Sequence, residues 1–260
     1  MDAAGLVGIK GLLIDINGVL YVANKPLPGA NQAINALRRS GVPYRFATNN
    51  TTGSVQTLSQ DLASMGLLVE PQDMISASYA AALYLRQLDQ PKIYPLLSAD
   101  ARQDFAEFTF SDMAADVVIL GDMGDELTYR VLNRAFRLVM QGAELLALHK
   151  GKFWQWEAGL QLDIGAFVAG LEYATDRTAT VVGKPSPFFF ERALAELGLP
   201  PEQVAMIGDD IEADVGGAQK AGMKGILVKT GKYRPALAEA TGITPDLILD
   251  DVSAIAQWFA

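Results

Sequence analysis

The chain has no cysteine and a single histidine, His149. The first absence excludes disulfides, thiolate zinc sites, iron–sulfur clusters and a cysteine nucleophile together. It accords with a reducing compartment. Positive charge is scarce as well: 21 Lys and Arg stand against 30 Asp and Glu, a net charge of −9. So acidic a chain lacks the cations that displace phosphate counterions, and no nucleic-acid partner is expected. An anionic membrane surface is an equally poor partner. No apolar run approaches the roughly 18 residues that span a bilayer. The N-terminal stretch MDAAGLVGIKGLLIDING has no basic region, and Lys10 and Asp15 interrupt its apolar run. It is expected to be mature protein and not a signal peptide, in a cytoplasmic chain.

What is present suits a folded, globular chain. Half of the 260 residues are apolar, enough for a substantial core. At about 150 residues per domain, the length allows one large or two small domains. Short apolar runs alternate with helical patterns. Gly11 to Ile16, Pro43 to Thr48, Asp116 to Leu120, Glu144 to Leu148, Gln203 to Ile207 and Gly225 to Val228 read as strands. Gly29 to Ser40, Ser54 to Met65, Ser78 to Leu88, Glu126 to Gln141, Ser186 to Leu197 and Ala213 to Ala221 read as helices. Such alternation predicts an α/β fold of βαβ units on a mainly parallel sheet. Residues 80–178 carry their own alternation without acidic strand ends, so they are expected to form a domain inserted between core segments 1–79 and 179–260.

A parallel sheet places its ligands beyond the carboxyl ends of its strands. Three of those ends are polar: Asp15, then Thr48-Asn49-Asn50, then Gly208-Asp209-Asp210. Any one alone reads as a turn, because Asp, Asn and Gly are common turn formers. Together, with Lys184 and Asp214 nearby in the pattern, they read as a site. A carboxylate at Asp15 can be a nucleophile toward phosphorus or a metal ligand. Oxygen ligands with no Cys or His at hand suit Mg²⁺ far better than zinc or copper. Two carboxylates about 4 Å apart repel by about 4 kcal/mol at an effective dielectric of about 20. Lys184 alone cannot offset three carboxylates and a phosphate dianion, whereas a divalent cation can. Thr48 and the amides after it could hold phosphate oxygens at a helix start.

These four segments, in this order, resemble the haloacid dehalogenase superfamily of phosphohydrolases. The motifs are Asp15-Ile16-Asn17-Gly18-Val19-Leu20, Thr48-Asn49-Asn50, Lys184, and Gly208-Asp209-Asp210-Ile211-Glu212-Ala213-Asp214. The insertion after the second motif is similar to the type 2 cap of subclass IIA. The resemblance implies a Rossmann-like three-layer core and an α/β cap, which supplies specificity and pairs two copies into a homodimer. It implies Asp15 as the nucleophile, passing through an aspartyl-phosphate. It implies a Mg²⁺ cofactor held by Asp15, the Asn17 carbonyl, Asp209 and Asp214, the last directly or through water. Thr48 and Asn49 would bind the phosphoryl group of a small phosphorylated substrate, and Lys184 would pair with both Asp15 and the phosphate.

Asn17 departs from the pattern. Active phosphatases of this type usually carry Asp there, which protonates the leaving group and then activates water. Losing general acid–base help costs about 10²–10⁴ in rate. An alkoxide leaving group needs that proton; a protonated phosphoramidate or pyrophosphate does not. Asn17 therefore points to P–N bonds, pyrophosphate or acyl phosphates. A binding protein without turnover is the competing class, favoured by Asn17 and opposed by the retained Asp15, Lys184, Asp209 and Asp214. A phosphotransferase is compatible with the same motifs, while a metal-free dehalogenase is disfavoured by the acidic cluster. In the insert, Leu148 to Trp156 carries His149, Lys150, Lys152, Trp154 and Trp156 as substrate contacts or as an ordinary solvated hairpin. Arg45 is expected to pair with an acid.

Overall fold

The computed structural model describes residues 7–258; the first six residues of the N-terminal stretch lie outside them. The first third of the chain supplies strands β1 (Gly11–Asp15), β2 (Tyr21–Val22), β3 (Lys25–Pro26), β4 (Tyr44–Thr48) and β5 (Met74–Ser76). The middle supplies β6 (Lys92–Leu96), β7 (Thr109–Phe110), β8 (Val117–Leu120), β9 (Glu144–Ala147), β10 (Phe153–Trp156), β11 (Gly159–Leu162) and β12 (Thr180–Val181). The last segment supplies β13 (Val204–Gly208), β14 (Lys224–Val228) and β15 (Leu247–Leu249).

Two parallel sheets result. One has the order β15-β14-β13-β1-β4-β5 and the other β12-β9-β8-β6-β7, so the second is built from chain lying between strands of the first. β1 reads as an unbroken apolar run because both of its faces are covered, and all five of its residues are buried. It lies between β13 and β4, with Ile14 opposite Ile207 and Asp15 opposite Ala47. From β1 the chain steps outward to β4 and β5, then returns to extend the sheet on the other side. That reversal is the switch point at which ligands sit in sheets of this kind, and Asp15 ends the strand there.

Local signals fix the helices. In α1 (Ala30–Ser40) an apolar stripe of Ala30, Ala33, Ile34 and Leu37 turns inward, and Gly41 stops it in the left-handed region at φ 68°. α2 (Val55–Ser64) starts where the Ser54 hydroxyl accepts the amide of Thr57. α3 (Ala77–Leu85), α4 (Tyr129–Met140), α5 (Gly165–Thr175) and α6 (Pro187–Leu197) complete the longer helices. The helix expected over 213–221 begins earlier, as a π-helical segment at Ile211–Gly216 followed by an α-turn at Gly217–Lys220. Asp210 causes this, since its side chain accepts the amides of Glu212 and Ala213 at 3.0 Å each.

The two sheets share a core. One apolar cluster joins Leu13, Ala47 and Ile75 of the first sheet to Ile93, Ile119 and Leu146 of the second, with Phe105, Phe189 and Phe190 between them. β12 pairs with β9, so the second sheet reaches Val181, three residues past the expected boundary at 178. The carboxyl ends of the two sheets face each other: Thr51 Oγ1 accepts the Asp122 amide at 3.1 Å, and Ser98 Oγ donates to the Thr52 carbonyl at 2.9 Å.

Candidate active site

The strand ends converge as the topology requires. Asp15 closes β1, Asp209 follows β13, and Asp214 lies in the π-helical segment after it. One carboxylate oxygen from each lies within 4.8 Å of the others, and all three residues are buried. Lys184 reaches them from the loop before α6. Its ammonium, itself buried, donates to Asp15 Oδ1 at 2.6 Å, to Asp214 Oδ1 at 2.7 Å and to the Ala47 carbonyl at 3.3 Å.

The electrostatics are strained in one direction. Burial and the neighbouring carboxylates Asp15 and Asp214 push Asp209 well above the usual carboxylate range. Burial pushes Asp214 up to about 7, against the pull of Lys184. Burial also works against the Lys184 ammonium, yet Asp15 and Asp214 outweigh it and hold its pKa above the ordinary value. Two of the three buried carboxylates thus share the Lys184 ammonium, and Asp209 is left outside its reach. The donor set is all oxygen, which fits a hard divalent cation and would be neutralised by one.

Backbone geometry tightens around Asp209. Gly18 adopts φ +94°, and a Cβ there would fall 1.9 Å from Asp209 Oδ2. The main chain of residue 18 can therefore approach the carboxylate only as glycine. Thr230 Oγ1 donates to the Gly18 carbonyl, and the Lys232 amide donates to Asp209 Oδ2 at 2.6 Å.

The second motif has two jobs. The Thr48 hydroxyl is buried and accepts the Asn50 amide at 3.0 Å. The Asn49 side chain grips the Lys184 backbone instead of facing outward: Nδ2 donates to the Lys184 carbonyl at 2.8 Å and Oδ1 accepts its amide at 2.9 Å. Asn17, just past the end of β1, is half-buried. Tyr21, opposite it in an isolated bridge, is buried beside Asn50, and burial lifts its phenol to about 12.

The insert's candidates divide. His149 is buried; its Nδ1 accepts the Gly151 amide at 3.2 Å, and its Nε2 lies 3.8 Å from Asp163 Oδ1. Burial lowers its pKa, opposed by Asp163, so the imidazole is neutral at pH 7. Lys150 pairs with Glu172 inside the insert. Lys152 crosses to Glu212 of the first sheet's lobe at 2.8 Å. Trp154 and Trp156 meet edge to face on the β10–β11 hairpin, 5.4 Å between ring centroids. Arg45 pairs with Glu196 at 3.6 Å, as expected of it. Sequence reasoning missed Lys232, Arg234 and Asp163. Arg234 donates to Gln155 at 2.6 Å, a second tie from the hairpin to the first lobe. The signal of the two basic residues, the run Gly231-Lys232-Tyr233-Arg234 after β14, is an ordinary loop until the fold brings it to the site.

Comparison with known proteins places the chain in one family. A family model described as haloacid dehalogenase-like hydrolase matches residues 12–111, and a HAD-hydrolase-like model matches residues 181–255. The haloacid dehalogenase-like hydrolase domain-containing protein 2 of Bos taurus is 45% identical over 230 residues, 88% of this chain and 87% of that one. The human phospholysine phosphohistidine inorganic pyrophosphate phosphatase is 35% identical over 254 residues, 95% of this chain and 93% of that one. Among solved structures, the 4-nitrophenylphosphatase of Thermotoga maritima superposes with a TM-score of 0.90 at 26% identity, covering 97% of this chain and 98% of that one. NagD of E. coli gives a TM-score of 0.85 at 27% identity, covering 95% of this chain and 98% of that one. The chain is an enzyme and belongs to the haloacid dehalogenase-like hydrolase family.

Proposed function

We propose that the chain is a Mg²⁺-dependent phosphatase that acts through an aspartyl-phosphate on small substrates with good leaving groups. The observation that carries this reading is the buried contact of the Asp15 carboxylate with the Lys184 ammonium, 2.6 Å, beside two further aspartates. Asp15, Asp209 and Asp214, with the Asn17 carbonyl, would hold the cation. When bound, it neutralises charge on the phosphoryl oxygens and in the carboxylate cluster.

The chain's own groups do the rest. Lys184 holds Asp15 Oδ1, which aims Oδ2 at phosphorus; the new O–P bond forms as the bond to the leaving group breaks. Lys184 also faces the charge gathering on the phosphoryl oxygens. Thr48 retains its hydroxyl proton as a donor to those oxygens, because the hydrogen bond it makes to Asn50 uses it as acceptor. Water then cleaves the acyl phosphate and restores Asp15. Asn17 offers an amide where a carboxyl would exchange a proton, so leaving groups that depart as stabilised anions or already protonated are favoured. The name of the human relative, which joins P–N compounds with pyrophosphate, supports that class.

Residues 80–178 act as the cap of this reading, and the hairpin ties Lys152–Glu212 and Gln155–Arg234 close it over the site. Pairing of two copies through the cap belongs to the same proposal. The outer face between α4 and α5 has a cavity of about 370 Å³ flanked by the exposed Tyr129. Light scattering tests it. A cytoplasmic location completes the reading.

The direct test is release of nitrophenol from p-nitrophenyl phosphate with and without Mg²⁺. Turnover should require the metal and vanish in Asp15→Asn; turnover that survives either change overturns the mechanism. The second reading, a binding protein without turnover, has Asn17 in its favour. It would trap beryllium fluoride with Mg²⁺ yet release no nitrophenol.

A further inference from the structure

Lys232 is a second, half-buried cation beside the site and has no part in the mechanism above. Its backbone amide is fixed on Asp209 Oδ2 at 2.6 Å, while its ammonium lies 3.4 Å from Asp210 Oδ2. Lys184 spends its donors on Asp15, Asp214 and the Ala47 carbonyl. Lys232, by contrast, makes one long contact among the described residues, with a side chain 27% exposed. Its loop also touches the insert, since Arg234, two residues on, donates to Gln155 of the β10–β11 hairpin at 2.6 Å, and the charge of Asp163 in the insert raises the Lys232 pKa. The surrounding carboxylates are otherwise engaged. Asp210 Oδ1 caps residues 212 and 213, and Asp163 Oδ1 accepts the Ile164 amide at 2.7 Å. The loop packs closely on the site, because a Cβ on Gly231, at φ +54°, would fall 2.0 Å from Asp209 Oδ2.

We propose that Lys232 is a specificity-determining residue whose ammonium takes the departing phosphate of an inorganic diphosphate at the seam between the two lobes. The inference rests on the phosphatase reading and names its substrate class. Asp15 attacks one phosphorus, the bridging P–O bond breaks, and orthophosphate leaves with the bonding pair. Water later hydrolyses the acyl phosphate, so pyrophosphate and one water give two phosphates. With an amide at residue 17, charge neutralisation by Lys232 replaces protonation of the leaving group.

The test uses Lys232→Met and Lys232→Arg, which leave the backbone amide on Asp209 in place. kcat and KM are measured with Mg²⁺ on pyrophosphate and on p-nitrophenyl phosphate, and binding of methylenediphosphonate is titrated calorimetrically. Lys232→Met should lose at least about tenfold more kcat/KM on pyrophosphate than on the nitrophenyl ester. Its diphosphonate affinity should fall by a similar factor, and Lys232→Arg should recover most of both. Equal losses on the two substrates, or an undiminished diphosphonate affinity, overturn the proposal. Should the natural enzyme hydrolyse neither substrate, the phosphatase reading fails while the titration still decides the subsite.

Discussion

Asn49 and Lys184 clasp each other through both ends of one amide, donating to the lysine carbonyl at 2.8 Å and accepting its amide at 2.9 Å. These residues are 135 positions apart in the chain, so the second motif fixes the third before any substrate arrives. Asn49→Ala should cost about 1–3 kcal/mol by leaving two part-buried backbone groups unpaired. Urea denaturation reads that loss, and turnover should fall with it as the ammonium loses its aim. A stability unchanged by the substitution contradicts the clasp.

Gly18 faces Asp209 so closely that any side chain intrudes. Gly18→Ala places a methyl 1.9 Å from Asp209 Oδ2 at a backbone φ of +94°. Strain of about 1–3 kcal/mol is expected, and the carboxylate must shift. The readout is the Mg²⁺ dependence of stability and turnover, which should move to at least about tenfold higher concentrations. An unaltered metal requirement contradicts the role given to Asp209.

The proton bookkeeping of the acidic cluster gives a pH dependence. Asp214 titrates near 7 in the folded metal-free protein, above its ordinary 3.8, and Asp209 is also raised. The folded state therefore binds more protons than the unfolded one between those values. Stability of the metal-free protein should fall as pH rises from about 4 through about 7, with Asp209 adding to the fall in the same direction. Mg²⁺ should consequently raise the melting temperature more at pH 8 than at pH 5, which thermal melts with chelator or added metal check.

Asn17→Asp restores a carboxyl at the residue that would exchange protons with the leaving group. Turnover on an alkyl phosphate should rise by about 10²–10⁴, and on pyrophosphate by much less. Equal gains on both substrates remove the leaving-group explanation of Asn17.

The Asp15 strand, the Asp209 strand and the Lys184 loop were legible because each pairs an apolar run with a polar end, a pattern that survives without coordinates. The insert was harder to read. β6 carries Pro95 in its interior, which argues against a strand; it is tolerated because β7 covers only Lys92 and Ile93 and leaves that edge open at Pro95. The solvated hairpin that Leu148 to Trp156 suggested is there as β10–β11, but its strands have no alternating buried face from which their bounds could be read. Lys232 left no pattern at all. Its meaning comes from an amide contact to a carboxylate 23 residues earlier and from an insert that the local sequence does not mention.

The apolar cluster that joins the two sheets has a consequence for how the molecule comes apart. Leu13, Ala47 and Ile75 lie on one wall and Ile93, Ile119 and Leu146 on the other, so neither wall is finished without its opposite. Deleting the middle segment would bare an oily surface rather than release a lighter, working hydrolase. Calorimetry of the intact protein should accordingly record one melting peak for both lobes.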